Sequence, residues 1–191
     1  VLDLVRHAGW DDYSVQQITR FNLLLEKLRA EKINIPCVHV ANSATILRFP
    51  DALYDAVRPG ILLYGLYPNP DMKGQGGDFR PAMTLKTNIV EIKTVPSGSR
   101  ISYGGTFITT RPTRIATIPV GYADGFSRRL SNRGHVLVEG KIAPVIGTVC
   151  MDFTVIDVTN VPGVKIDDEV VLIGRQGDEE IHFDEVAALM D

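Results

Sequence analysis

Two different periodicities divide the chain. From Ser14 to Lys32, apolar residues recur at Ile18, Phe21, Leu25 and Leu28, a three-and-four spacing that predicts an amphipathic helix. Ser14 with Gln17 reads as a capping box, and Asn34 and Pro36 as the stop. The apolar stretch Cys37–Val40 reads as a buried strand, 43–49 as a short helix ended by Pro50, and Ala56-Val57 as a second strand running into Arg58-Pro59-Gly60. Strand, helix and strand in so little chain predict βα units and a parallel sheet. Residues 68–79, rich in Pro, Asn, Asp and Gly, read as a linker. Beyond them the period changes to short β-rich runs: 84–95, 115–120, 136–138, 142–146, 154–158 and 170–173, punctuated by Pro96-Ser97-Gly98, Gly104-Gly105, Glu139-Gly140 and Pro162-Gly163. Strands at this spacing predict an antiparallel sandwich or barrel. Only 184–190 returns to a helical pattern.

The resulting fold class is α/β followed by mainly β, with residues 1–67 in the first part, 68–79 between, and 80–191 in the second. An α/β stretch of about 70 residues is too small for a complete parallel-sheet domain, because each βαβ unit alone takes about 30. Its strands would keep uncovered faces. The sequence is therefore expected to be a piece of a larger protein. Its first residues, Val1–Val5, show neither an initiator Met nor a signal-peptide layout.

Composition narrows the function classes. The 191 residues are 45% hydrophobic and 23% charged, ample for a core, and the formal charge of −3 offers no basic excess for nucleic acid or anionic lipid. The longest apolar runs are too short to span a bilayer. Two cysteines, Cys37 and Cys150, make no disulfide framework, so a cytoplasmic setting is expected. The four histidines, at 7, 39, 135 and 182, fall in no metal-ligand spacing, and no metal is expected.

Four segments could carry chemistry. In His39-Val40-Ala41-Asn42-Ser43, a strand runs into a helix start, where a hydroxyl and free N–H groups attract a phosphate; an Asn-Ser helix cap is the simpler alternative. In Arg58-Pro59-Gly60-Ile61, Gly60 admits close approach to the backbone, its N–H and that of Ile61 can face a phosphate, and Arg58 is a permanent cation; a Pro-Gly turn explains the same residues. If the two strands are late strands of a βα barrel, the loops after them lie where such barrels bind phosphate. Gly121-Tyr122-Ala123-Asp124-Gly125 displays a tyrosine, which is either a proton donor and acceptor or a packed interface residue; a phenol of reference pKa about 10 needs positive charge nearby to act as a base. Gly147-Thr148-Val149-Cys150-Met151-Asp152 mixes core residue types with a turn aspartate.

Taken in order, HVANSA at 39–44, VRPGILLYG at 57–65, ISYGGTF at 101–107, IPVGYADGFSR at 118–128, GTVCMD at 147–152 and LIGRQGDE at 172–179 resemble the alanine racemases, pyridoxal-phosphate enzymes of bacterial cell-wall metabolism. The resemblance implies the last part of a (β/α)8 TIM barrel followed by a β domain, in a homodimer with shared active sites. It implies that Ser43, Gly60 and Ile61 hold the cofactor phosphate, with Asn42 lining that pocket. Arg58 would donate to the pyridine nitrogen and His39 would orient Arg58. Tyr122 would be one of two catalytic bases, delivered to the neighbouring subunit, and Met151 would contact the substrate carboxylate through its backbone N–H. The second base, a cofactor-bearing lysine, lies in this family on a first barrel strand that has no match here, so the chain alone is expected to be inactive, although its parent is not. Three alternatives stand beside this one. A racemase for another amino acid would keep fold and cofactor. A non-catalytic β-barrel binding module would keep the fold alone. Pyridoxal-phosphate decarboxylases share the barrel but not GYADG or CMD.

Overall fold

The computed structural model describes residues 11–190. The chain divides into two compact units, the first ending at Ala82 and the second starting at Met83.

In the first unit, helix α1 spans Asp11–Ala30. It is already helical three residues before Ser14, which is fully buried inside it, so the expected capping box is not the helix start. The stop is a left-handed turn at Lys32 (φ 58°), with Lys32 N–H bonded to Arg29 O and Ile33 N–H to Leu28 O, just ahead of the expected Asn34. Helix α2 spans Ser43–Arg48, and Asn42 caps it: its Oδ1 accepts from both the N–H and the hydroxyl of Thr45 at 3.0 Å. The two expected strands reduce to one parallel bridge, His39 to Ala56, flanked by hydrogen bonds from Asp55 N–H to Val38 O and Arg58 N–H to Ala41 O. Among the described residues these two segments have only each other to pair with, and Cys37 is exposed rather than buried. The pairing is parallel, as a βα unit requires.

Val40, Ala44 and Met72 form the core of this unit, with Ile18, Phe21, Phe49 and Tyr54 packed around it. Residues 68–79 belong to that packing. Pro70–Met72 make a turn that buries Met72, and Tyr67 both donates its hydroxyl to Gly77 O and stacks edge-on against Phe79.

The second unit holds ten strands: β1 (Leu85–Asn88), β2 (Glu91–Val95), β3 (Arg100–Ile101), β4 (Phe107–Ile108), β5 (Thr113–Ile118), β6 (His135–Val138), β7 (Lys141–Pro144), β8 (Thr154–Asp157), β9 (Glu169–Gln176) and β10 (Glu179–Ile181). A final helix, α3, spans Phe183–Met190. All strand pairs are antiparallel: one sheet runs β1-β9-β6-β7 with β10 on β9, a second runs β2-β5-β8, and β3 pairs β4. The 84–95 run, which reads as one strand, bends at Ile89. Its first half pairs β9 and its second half pairs β5, while the fully buried Ile89 exchanges backbone bonds with Asp167 and Asp168. At the opposite seam, Val145 bridges to Ile156 and so links the end of β7 to β8. The two sheets thus close, barrel-like, around Ile118, Val136, Val149, Ile156, Val170 and Leu172.

Candidate active site

The first unit assembles a small polar cradle where the βα crossover ends. Ser43, 6% exposed, opens α2, and its Oγ accepts a long 3.4 Å bond from Leu62 N–H. Gly60 faces that hydroxyl across open space: a Cβ there would stand 3.8 Å from Ser43 Oγ and touch nothing nearer. Among the described residues, the N–H groups of Gly60 and Ile61 donate to nothing. A hydroxyl and two free amides around a gap that a side chain would fill are the donor set a phosphate needs. Asn42 is spent on capping Thr45 at the edge of the cradle.

Arg58 is fixed beside it. One terminal nitrogen lies 2.6 Å from His39 Nδ1 and 3.2 Å from His39 O, and the other donates to Val40 O at 3.2 Å. A guanidinium has no acceptor, so Nδ1 must accept and the imidazole proton sits on Nε2. The Nε–H of Arg58 is left without a partner among the described residues. His39 therefore orients a cation whose Nε–H and second Nη2–H remain available as directed donors.

The second unit builds a separate open cavity of about 480 Å³, lined by Tyr103, Tyr122, Arg128, Thr148, Met151 and Asp152 among others. Its walls are loops bound to one another by backbone. Tyr122 N–H donates to Cys150 O and Ala123 N–H to Met151 O, while Asp124 closes its own turn on Gly121 N–H. Tyr122 is 46% exposed and Met151 53%. The N–H of Met151 donates to nothing among the described residues, leaving it open to an acceptor.

Tyr103 is the residue to which the sequence assigned no role. It is 74% exposed in the same cavity, on a turn strained at Ser102 (φ 60°). Two reciprocal bonds hold that turn: Ser102 Oγ donates to Thr148 O at 2.6 Å, and Thr148 Oγ1 to Tyr103 O at 2.8 Å. The signal in the sequence was a tyrosine set between a serine and Gly104-Gly105, a composition that favours left-handed turns.

Residues 82–191 match the profile of the alanine racemase C-terminal domain, and residues 5–68 that of the alanine racemase N-terminal domain. The chain belongs to the alanine racemase family. Alanine racemase 2 of Caldanaerobacter subterraneus subsp. tengcongensis is 52% identical to it over 92% of the chain and 45% of the relative. The crystal structure of the Bacillus anthracis alanine racemase with bound L-Ala-P superposes with a TM-score of 0.86 at 40% identity, covering 94% of this chain and 46% of that one. The Bartonella henselae alanine racemase with covalently bound pyridoxal phosphate gives 0.78 at 28% identity, covering 97% and 48%. This chain thus spans about half the length of the alanine racemases it matches. Its fold is accordingly the closing part of a TIM barrel followed by the mainly antiparallel β domain. No helix among the described residues is long and apolar enough to cross a membrane, and no cluster of metal-ligating side chains occurs among them.

Proposed function

We propose that this chain is part of a pyridoxal-phosphate-dependent racemase that interconverts L- and D-alanine, works as a cytoplasmic homodimer with shared active sites, and supplies D-alanine for peptidoglycan. The observation that carries this reading is the Arg58–His39 pair beside the Ser43–Gly60–Ile61 cradle: a cation that cannot surrender its proton, next to donors suited to a phosphate. The residues fit the cofactor. Ser43, Gly60 and Ile61 would hold its phosphate, Asn42 would shape the pocket, and Arg58 would donate its free Nε–H to the ring nitrogen. Bound there, pyridoxal phosphate supplies the electron withdrawal that lets an amino-acid α-proton leave.

The chain's own residues do the rest. Met151 N–H would bind the substrate carboxylate. A tyrosine of the cavity in the second unit would carry one proton, opposite a lysine contributed by the remaining length of the protein, because inversion needs a base on each face of the α-carbon. Tyr122 is the residue the GYADG motif nominates for that proton. A specific observation favours Tyr103 instead: it is the more exposed phenol, presented on the strained and doubly tethered turn, while Tyr122 is anchored by backbone to the Cys150–Met151 loop.

Full-length protein carrying this sequence should bind pyridoxal phosphate and racemise alanine in a coupled D-alanine assay. Removing the hydroxyl of the proton carrier should lower kcat by about 100-fold or more, and removing that of the other phenol by about tenfold or less. Comparison of Tyr103→Phe with Tyr122→Phe decides between them. A full-length protein that binds the cofactor yet leaves alanine untouched, while turning over another amino acid, would replace the substrate assigned here.

A further inference from the structure

The loops that display Tyr103 and Met151 are joined to each other through a third segment, Ser131-Asn132, which lies in the turn after Arg128–Leu130. Asn132 Nδ2 donates to Thr106 Oγ1 at 3.0 Å, on the tyrosine-bearing loop. Its Oδ1 accepts from Gly147 N–H at 2.6 Å, on the other loop. Ser131 Oγ accepts from Val149 N–H at 2.9 Å, so the dipeptide grips the backbone on both sides of Thr148. Thr148 is the residue whose carbonyl and hydroxyl in turn tether Ser102 and Tyr103. Asn132 itself sits at φ 58°, a left-handed conformation that asparagine tolerates better than most residues.

We infer that Asn132, backed by Ser131, is a positioning residue: it sets the distance between the turn that presents Tyr103 and the loop that presents Met151, without lining the cavity itself. The inference rests on the racemase reading above. A side chain that satisfies one buried amide and one hydroxyl on two different loops fixes both, and a shift of about 1 Å at a reacting group can cost about 100-fold in rate. Asn132→Gly keeps the left-handed backbone at no strain and removes both side-chain bonds. Asn132→Asp keeps the acceptor for Gly147 N–H and can take a hydrogen bond from the Thr106 hydroxyl.

The test is made in the full-length holoenzyme. In Asn132→Gly, kcat should fall by about tenfold or more while KM for alanine and cofactor content change by less than about threefold; Asn132→Asp should restore kcat to within about threefold. Hydrogen exchange at the Gly147 amide should speed up by about tenfold in Asn132→Gly and much less in Asn132→Asp. Unchanged kcat and unchanged exchange in Asn132→Gly would overturn the inference, as would an Asn132→Asp protein as slow as Asn132→Gly. If the unsubstituted protein proves to be no racemase, the proposed function fails, but the amide exchange still decides whether Asn132 joins the two loops.

Discussion

Gly121→Ala should be among the most disruptive single-methyl substitutions in the second unit. The backbone at Gly121 is extended (φ −142°, ψ −162°), a conformation any residue adopts, so alanine meets no dihedral penalty. The obstacle is steric. A Cβ at 121 would stand 2.2 Å from Met151 O and 2.4 Å from Cys150 O, against an ordinary non-bonded separation of about 3.5 Å, so one loop must retreat by roughly 1 Å. That retreat stretches the two bonds that join the loops, Tyr122 N–H to Cys150 O at 2.9 Å and Ala123 N–H to Met151 O at 3.0 Å. Two backbone bonds at about 1 kcal/mol each, with about 1–3 kcal/mol of overpacking strain, amount to about 3–5 kcal/mol. At this chain length each kcal/mol moves Tm by about 2–4 °C, so a fall of about 10 °C is expected. Gly163→Ala is the matched control: nothing lies within 4 Å of its Cβ, and its only penalty is the positive φ of 80°, about 1–2 kcal/mol. Thermal unfolding of both variants of the 191-residue chain, followed by near-UV circular dichroism, compares steric with conformational cost directly. A Gly121→Ala protein that melts no lower than Gly163→Ala would refute the claim that backbone contact, rather than backbone conformation, demands glycine at 121.

Two further outcomes follow from the first unit. Burial pushes the Tyr54 phenol above its ordinary value of 10.0. The folded form therefore holds that proton to higher pH than the unfolded chain does, and this contribution to stability is intact below pH 10.0 and is lost as pH rises through the raised folded pKa. Urea titrations above and below that point should show a shallower alkaline loss of stability in Tyr54→Phe, and an identical slope would remove Tyr54 as the cause. Ser43→Ala should weaken pyridoxal phosphate binding to the full-length apoprotein by about 10- to 100-fold, the worth of one hydrogen bond to a charged group. It should hardly affect folding, since the hydroxyl's bond to Leu62 N–H is long at 3.4 Å. A fluorescence titration with an unchanged Kd would put the phosphate elsewhere.

The β-rich half was the more legible part of this sequence because its strands bury alternate or continuous apolar positions among their own neighbours. Residues 115–118, 136–138, 154–156 and 170–172 all pair within the unit that they help to enclose. What the pattern could not reveal was the bend at Ile89: an apolar residue in a β-rich run looks alike whether it continues a strand or turns the corner between two sheets. In the first half the signal was weaker for a physical reason. A parallel strand shows as an apolar run only because helices and neighbouring strands cover it, and at Cys37–Val40 the described residues provide one bridge and leave Cys37 exposed. Ser14 misled similarly. Serine near a helix start is usually a cap, but here it is a buried residue on the inner side of a helix already under way.

The candidate site was legible as motifs, not as relations between motifs. Gly60, Gly121 and Gly147 are indistinguishable as letters, and each stands beside residues of chemical interest. Their tasks differ. At Gly60 the absent side chain leaves a gap, with only Ser43 Oγ at 3.8 Å from the missing carbon, and that gap is room for a ligand. At Gly121 the space is already taken by Met151 O, and at Gly147 (φ 78°) by Ile101 O and Ser102 at 2.8 Å, so both serve to let one loop of the protein press on another. Substitution should separate the two kinds: on the function proposed above, a side chain at 60 would compete with the cofactor phosphate, whereas one at 121 or 147 would displace the loops that carry the tyrosines and Met151. The two exposed phenols are thus held differently: the Tyr122 loop by backbone bonds to Cys150 and Met151, the Tyr103 turn by side-chain hydroxyls of Ser102 and Thr148, so the first should tolerate changes of neighbouring side chains better than the second.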